Sequence, residues 1–325
     1  GTIGGMRRIS YDGTELPVTD ADLASAAITT RDIDRGDFPH FLLKEVTDSP
    51  HSFRTTLRGR LVEVDGAMQV RIGPDSLPGP VLERLADSSI DRVLVIGQGT
   101  AAVAGQSLAQ FLMELLAETE VRVEALPATE LSGFRMRSDM SDTLVVAISQ
   151  SGTTTDTNRT VDLVRGRGAA VVAIVNRRGS DLTDKADGVL YTADGRDVEM
   201  SVASTKAFYS QVAAGMLLAY GIAGSVPGAR HHSEDAEQSA LRAMRDLPAR
   251  MEETLATRPS IAATAQQLAE DKQFGDIITM LQAAIRHGFA QPWMYEAMGL
   301  AMRAADAPQA EIERVLMSAV DFSGD

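Results

Sequence analysis

The sequence predicts a three-layer α/β domain, a mostly parallel sheet covered by helices, with an irregular N-terminal arm and an all-α C-terminal tail. Three observations carry that reading. Five short strand-like runs lie between residues 92 and 192, separated by turns and helix-length segments. Strands alternating with helices of this length imply right-handed βαβ crossovers and a sheet covered on both faces. From residue 230 onward the apolar period is helical, while the first 90 residues follow neither pattern.

Residues 1–90 read as an arm that packs on the next domain. Residues 2–9 (TIGGMRRI) are strand-like, Asp12-Gly13 marks a turn, and a polar stretch runs through Asp37. Residues 41–46 (FLLKEV) have helical character and lead into residues 52–60 (SFRTTLRGR). The sheet domain is expected over residues 91–228, with strands at 92–96 (RVLVI), 121–126, 143–148 (TLVVAI), 170–175 and 188–192. Gly97-Gln98-Gly99-Thr100 turns the first strand into a small-residue helix at about 101–117, and a second helix runs to Gly168. An apolar helix at 203–220 follows the fifth strand. The tail, 229–325, opens with a helix at 233–255 that Pro248 is expected to break. Pro259 opens the next segment, and helices follow at 261–268, 276–286, 292–304 and 309–319. Trp293-Met294-Tyr295 followed by Ala297, Gly299 and Ala301 has the large-then-small spacing of tetratricopeptide-like hairpins. A helical cap closing the sheet domain is the alternative reading.

Composition narrows the function classes. A hydrophobic share of 44% in 325 residues supplies ample core. The 45 acidic residues against 31 Lys and Arg leave a net charge of −14, which disfavours nucleic acid and anionic lipid as partners. Any phosphate site must then be local, built from backbone N–H groups and hydroxyls. The absence of cysteine excludes disulfides, thiolate catalysis and Cys-type metal sites, and suits a reducing compartment. No charged-then-apolar leader opens the sequence, and no apolar run approaches the ~20 residues of a membrane span. A cytoplasmic protein without metal or cofactor is expected. Opening on Gly1-Thr2-Ile3 in place of methionine points to a piece of a longer chain.

Three stretches fall at carboxyl ends of strands, where ligands bind in open α/β sheets: 97–100, 149–154 and 199–206. The middle one places Ser149, Ser151, Thr153, Thr154, Thr155 and Thr157 around Gly152, between a buried strand and a helix start. A helix N-terminus offers unpaired N–H donors and partial positive charge, and a glycine lets the backbone approach an anion. Ser and Thr are also favoured as N-caps, but six hydroxyls exceed what one cap needs. Gly97-Gln98-Gly99 is a weak dinucleotide signal, since Ala102 replaces the third glycine and only Glu124 approximates the acidic residue after the second strand. In residues 200–208 (MSVASTKAF), Ser201, Ser204 and Thr205 are candidate caps, and Lys206 lies one turn into the helix.

Taken together, ISQSGTTTDT, VASTKAF and the approach segment FLLKEVTDSPHSFRTTLRGR resemble the isomerase half of the glutamine–fructose-6-phosphate aminotransferase (isomerising) family, the glucosamine-6-phosphate synthases. That half consists of two sugar-isomerase (SIS) domains with a flavodoxin-like sheet, and the resemblance covers roughly residues 38–255. It implies that Ser149, Gln150, Ser151 and Thr154 hold the phosphate of a sugar such as fructose-6-phosphate. It likewise implies that Val202 and Ser204 line the sugar. Thr100 falls on the family's C-G-T-S turn, read here as Q-G-T-A, so that Ala101 replaces a substrate-contacting serine. The resemblance also implies a homodimer with sites at its interface, where Glu199 is a weak candidate acid or base.

Other family groups have no counterpart. The N-terminal catalytic cysteine, the second SIS domain with its glutamate and ring-opening histidine, and the imine-forming lysine near the C-terminus are missing; the last lysine is Lys272. His287 reads as a solvated or core histidine. Two functions are therefore expected in competition: the isomerase part of fructose-6-phosphate to glucosamine-6-phosphate conversion, and a non-catalytic sugar-phosphate-binding or regulatory module with a helical interaction tail.

Overall fold

The computed structural model describes residues 7–10, 12–19, 33–201, 204–229, 234–287 and 292–323. They begin with a two-residue hairpin, β1 (Arg8–Ile9) against β2 (Glu15–Leu16), closed over Asp12-Gly13. The strand expected from residue 2 thus shortens to its last two residues, and residues 2–6 lie outside the described ones. The stretch read as irregular then contains a long helix, α1 (Phe41–Leu57), an antiparallel hairpin of β3 (Leu61–Val64) and β4 (Ala67–Val70), and α2 (Gly79–Ala86). The helical character read at residues 41–46 extends in α1 to Leu57, straight through Pro50. A proline inside a helix costs about 3 kcal/mol. Burial of Ser49, Pro50, Ser52 and Phe53, with α1 packed on a later helix, offsets that cost.

The sheet domain then alternates as expected: β5 (Arg92–Gly97), α3 (Thr100–Leu115), β6 (Arg122–Pro127) and α4 (Ala128–Glu130), which runs into a π-turn at Leu131–Arg135. Next come β7 (Thr143–Ser149), α5 (Thr155–Arg165), β8 (Ala170–Val175), α6 (Asp181–Lys185) and β9 (Gly188–Tyr191). A single 3-10 turn at Ala193–Gly195 precedes α7 (Lys206–Ala223). All five strands are parallel, in the order β6-β5-β7-β8-β9. This is the flavodoxin-like order.

Period-two alternation sorts the strand side chains between two cores. Val93 and Val95, Leu144, Val146 and Ile148, and Ala170, Val172 and Ile174 face α2, α3 and α7. Leu94 and Ile96, Val145 and Ala147, and Val171, Ala173 and Val175 face the layer of α4, α5 and α6. Burial on both faces explains why these runs are apolar without alternation.

The remainder is helical: α8 (Glu234–Ala256), α9 (Arg258–Glu270), α10 (Phe274–Arg286), α11 (Pro292–Ala304) and α12 (Gln309–Ser323). The expected break at Pro248 does not occur. Leu241, Met244 and Pro248 recur at helical spacing on one buried face, so packing keeps the helix continuous. The chain divides into two compact units, Gly1–Met251 and Glu252–Asp325. In the second, Leu281, Met294, Met298, Met302 and Ile312 form the core, and a side chain at Gly299 would collide with Leu316 of α12. Trp293 is exposed.

Tyr220 on α7 stacks edge-on against Phe111 of α3, with ring centroids 5.2 Å apart. Its buried hydroxyl has no hydrogen-bond partner among the described residues. Burial, then Glu237, pushes this phenol up to about 12. The neutral form is therefore favoured in the fold, and the associated stability is present below pH 10 and lost as pH rises toward 12. Denaturant titrations across that window should show a decline that is smaller in Tyr220→Phe; an identical decline would refute the assignment.

Candidate functional site

The strand order reverses at β5: the chain moves outward to β6, then returns across to β7. In open α/β sheets ligands bind at this switch point, outside the carboxyl ends of the strands. The loops after β5 and β7 are those that carry Thr100 and Ser149–Thr154. Gly99 precedes α3 with φ +58°, and Thr100 opens that helix in an exposed position. Gln98 reaches from this turn to Thr129 Oγ1 (3.3 Å) and to Asp156 Oδ2 (3.4 Å), which ties the first loop to the start of α5.

The β7 loop folds on its own hydroxyls. Ser149 is buried and its Oγ accepts the Gly152 amide at 3.0 Å. Ser151 Oγ accepts the Thr153 amide at 3.2 Å and lies 2.9 Å from the Thr153 hydroxyl. Thr154 Oγ1 is 3.3 Å from Ser149 Oγ. Gly152 has φ +67°, and a Cβ there would collide with the Ser180 side chain, so conformation and space both demand glycine. Asn158 Nδ2 donates to the Gly152 and Thr154 carbonyls at 3.0 and 3.1 Å, fixing the loop to α5.

The six hydroxyls therefore do different things. Thr154 is the N-cap residue of α5, yet its side chain makes no capping hydrogen bond. Thr155 is exposed and Thr157 is fully buried. The loop hydroxyls shape the turn and leave the helix N-terminus uncapped by its own side chain, as an anion-accepting end requires.

A second element closes the site. Glu45, Asp48, Ser52 and Thr56 repeat at three- and four-residue spacing along α1 and hold the segment from Ala193 to Lys206. Thr56 Oγ1 accepts the Ala193 amide at 3.0 Å, and Ser52 Oγ donates to Asp197. The buried Glu45 carboxylate accepts the Met200 amide at 2.5 Å, the Ser201 amide at 3.2 Å and the Ser201 hydroxyl. Lys206, 3% exposed, pairs with Asp197, and Asp48 lies 4.0 Å away. Sequence reasoning placed Lys206 one turn into its helix without a partner and singled out none of the α1 residues for a role. Their helical spacing was the available signal.

Glu199 is engaged within the same segment. It accepts the Thr205 amide at 2.8 Å, the Ala207 amide at 3.2 Å, and the hydroxyls of Ser204 and Thr205 at 2.9 and 3.2 Å. It thereby caps α7, which starts at Lys206 and not at residue 203. Glu199 shares a cleft of about 120 Å³ with Gln150 and Ser151. Ser204 joins this region through Glu199, whereas Val202 and Ala203 lie outside the described residues. His287, in the second unit, is an exposed residue at the end of α10. Among the described residues no helix is long and apolar enough to cross a membrane.

Strand order, cradle loop and capped α7 together define a class: residues 86–220 match the SIS domain family. Glutamine–fructose-6-phosphate aminotransferase (isomerizing) of Thermus thermophilus is 33% identical over 278 residues, which cover 83% of this chain and 42% of the relative. The enzyme of the same description from Corynebacterium glutamicum is 36% identical over 265 residues, covering 81% of this chain and 39% of the relative. The aligned stretch is longer than the SIS match, so the similarity extends into the flanking segments. The chain thus carries a SIS domain that resembles the one in glutamine–fructose-6-phosphate aminotransferases, and it spans about two fifths of the length of these curated relatives. The same fold occurs in the C-terminal domain of glucosamine-fructose-6-phosphate aminotransferase from Francisella tularensis. Its TM-score is 0.54 at 21% identity, covering 77% of this chain and 61% of that one.

Removing one member of a buried ion pair costs about 3–5 kcal/mol, because the other charge remains desolvated. Asp197→Asn should destabilise the protein by about that amount in urea titrations, and Asp197→Leu with Lys206→Met should recover more than half of it. A loss below ~1 kcal/mol for Asp197→Asn would show that the pair does not anchor this segment.

Proposed function

We propose that this chain binds a phosphorylated sugar, such as fructose-6-phosphate, as the first SIS domain of the family. It would contribute the isomerase part of fructose-6-phosphate to glucosamine-6-phosphate conversion. The observation that carries this is the loop Ser149–Thr154: hydroxyls at a side-chain-uncapped helix N-terminus, at the switch point of a parallel sheet. In this reading the phosphate sits on Ser151, Thr154 and the first amides of α5, with Gln150 beside it. Thr100 approaches from the neighbouring loop, and Val202 and Ser204 flank the sugar. The fit is chemical, since neutral donors hold an anion without a cation cluster in a chain of net charge −14. The working unit in this reading is a cytoplasmic homodimer, as SIS domains commonly form interfacial sites.

One observation favours the non-catalytic alternative, a sugar-phosphate sensor with a helical interaction tail. The Glu199 carboxylate receives four hydrogen bonds as a cap, which leaves it poorly placed to move a proton. Isomerisation by this chain alone is accordingly expected to be weak, and turnover of fructose-6-phosphate at ~1–1000 per second would overturn that. The chain has no cysteine, so no glutamate release from glutamine is expected of it; measurable release in a coupled assay would contradict this.

Hydrogen bonds to a charged group contribute about 1.5–3 kcal/mol each, so Ser151→Ala with Thr154→Val should weaken fructose-6-phosphate binding by roughly two to four powers of ten. Ser149 is left intact because its hydroxyl holds the Gly152 amide. Calorimetry checks this, with thermal melts confirming that the variant remains folded. Wild-type affinity should fall only mildly with salt, because the attraction is short-ranged. Undiminished binding by the variant would return these hydroxyls to a purely structural role.

A further inference from the structure

Beside the serine loop lies a cleft whose cations the proposed phosphate site leaves unused. Gln150, Asn176, Arg177 and Arg196, with the carboxylates of Asp197 and Glu199, are among the residues lining its volume of about 120 Å³. Arg177 and Arg196 face each other across an isolated antiparallel bridge. Like charges directly opposite one another are destabilising, so this juxtaposition needs a counter-charge. Both arginines are exposed, and neither makes an ion pair among the described residues. The neighbouring acids are already committed. Asp197 takes Lys206 and the Ser52 hydroxyl, Glu199 takes the start of α7, and Asp194 takes Arg58 at 3.2 Å.

An independent feature lies in the lining of the same cleft. Asn176 is completely buried, its Oδ1 accepts the Thr192 hydroxyl, and its Nδ2 has no partner among the described residues. A buried donor without an acceptor is costly and calls for a ligand or a water. Two guanidiniums and one amide N–H offer donors only, the complement of a carboxylate or phosphate. The volume is far below the ~300 Å³ of a self-sufficient small-molecule pocket, so the cleft suits one group of a larger ligand.

We propose that this cleft is a subsite for a second anionic oxyacid group, carboxylate or phosphate, on a sugar whose first phosphate occupies the Ser149–Thr154 loop. The inference rests on the sugar-phosphate reading of that loop and narrows its substrate class to doubly anionic sugar phosphates. An overall charge of −14 opposes the more highly charged ligand, so a preference for it has to arise locally.

Calorimetry with fructose-6-phosphate, fructose-1,6-bisphosphate and 6-phosphogluconate, on the wild type and on Arg177→Ala with Arg196→Ala, tests the proposal. At least one doubly anionic sugar should bind the wild type about tenfold or more tighter than fructose-6-phosphate, and that ratio should fall towards one in the variant. Tighter bisphosphate assigns the subsite to phosphate, and tighter phosphogluconate assigns it to carboxylate. Arg177→Gln with Arg196→Gln provides the same comparison if the alanine pair melts early. Fructose-6-phosphate binding as well as both others, or a preference that survives the substitutions, overturns the subsite and leaves the phosphate loop standing. Binding of none of the three by the wild type removes the phosphate reading, and the subsite with it.

Discussion

The grip of α1 on the segment between β9 and α7 is the constraint on which the site depends. The described residues of that segment, 193–201 and 204–205, have little regular structure, so their backbone groups need partners from elsewhere. Thr56 and Glu45 on one face of α1 accept three of its amides, Ser52 and Asp48 on the same face meet the Asp197 and Lys206 side chains, and the Lys206–Asp197 pair closes the arrangement in a nearly dry environment. Buried charge tolerates few geometries, because any displacement leaves an ion desolvated and unpaired. Residues 193, 197, 200 and 201 beside the loop are thereby anchored by a helix far upstream in the chain.

The cradle loop is shaped by a different force. Steric closure at Gly152 against Ser180 and Val175 brings the loop backbone down onto the turn before α6. Internal hydrogen bonds of Ser149 and Ser151 then set its curvature. Neither device adds charge, which matters in an acidic protein. A lysine-rich cradle would also attract anions at long range, whereas hydroxyls and helix amides act only over hydrogen-bonding distance. Selectivity then rests on shape and on the few cations allowed nearby.

The sheet was legible in the sequence because its strands are buried on both faces, leaving continuous apolar runs such as TLVVAI and AVVAIV between turn residues. The loop was legible because six hydroxyls around one glycine at a strand end are more than a helix cap requires. Other features follow from tertiary contacts that local sequence does not record. Pro248 reads as a helix break by local sterics, yet it, like Pro50 in α1, lies on a buried face where packing outweighs the missing hydrogen bond. The polar stripe of α1 reads as a solvated helix face until its partners, about 140 to 160 residues later, are known. Arg177 and Arg196 meet through a bridge between two loops, and no periodicity announces it.

Glu199 shows why residue type alone does not assign a chemical role. A carboxylate at the edge of a ligand crevice invites reading as an acid or base, but a proton carrier needs lone pairs free for the reacting atom. Here both oxygens accept from the start of α7, which orders Ser204 and Thr205 beside the crevice. In the proposed binding mode the carboxylate would act on a ligand only through the residues it orders, whereas the arginines across the cleft would act on it directly. Among the described residues the crevice thus pairs a carboxylate engaged in holding a helix start with two guanidiniums that make no ion pair, an arrangement that suits the anion recognition proposed above better than proton transfer by Glu199.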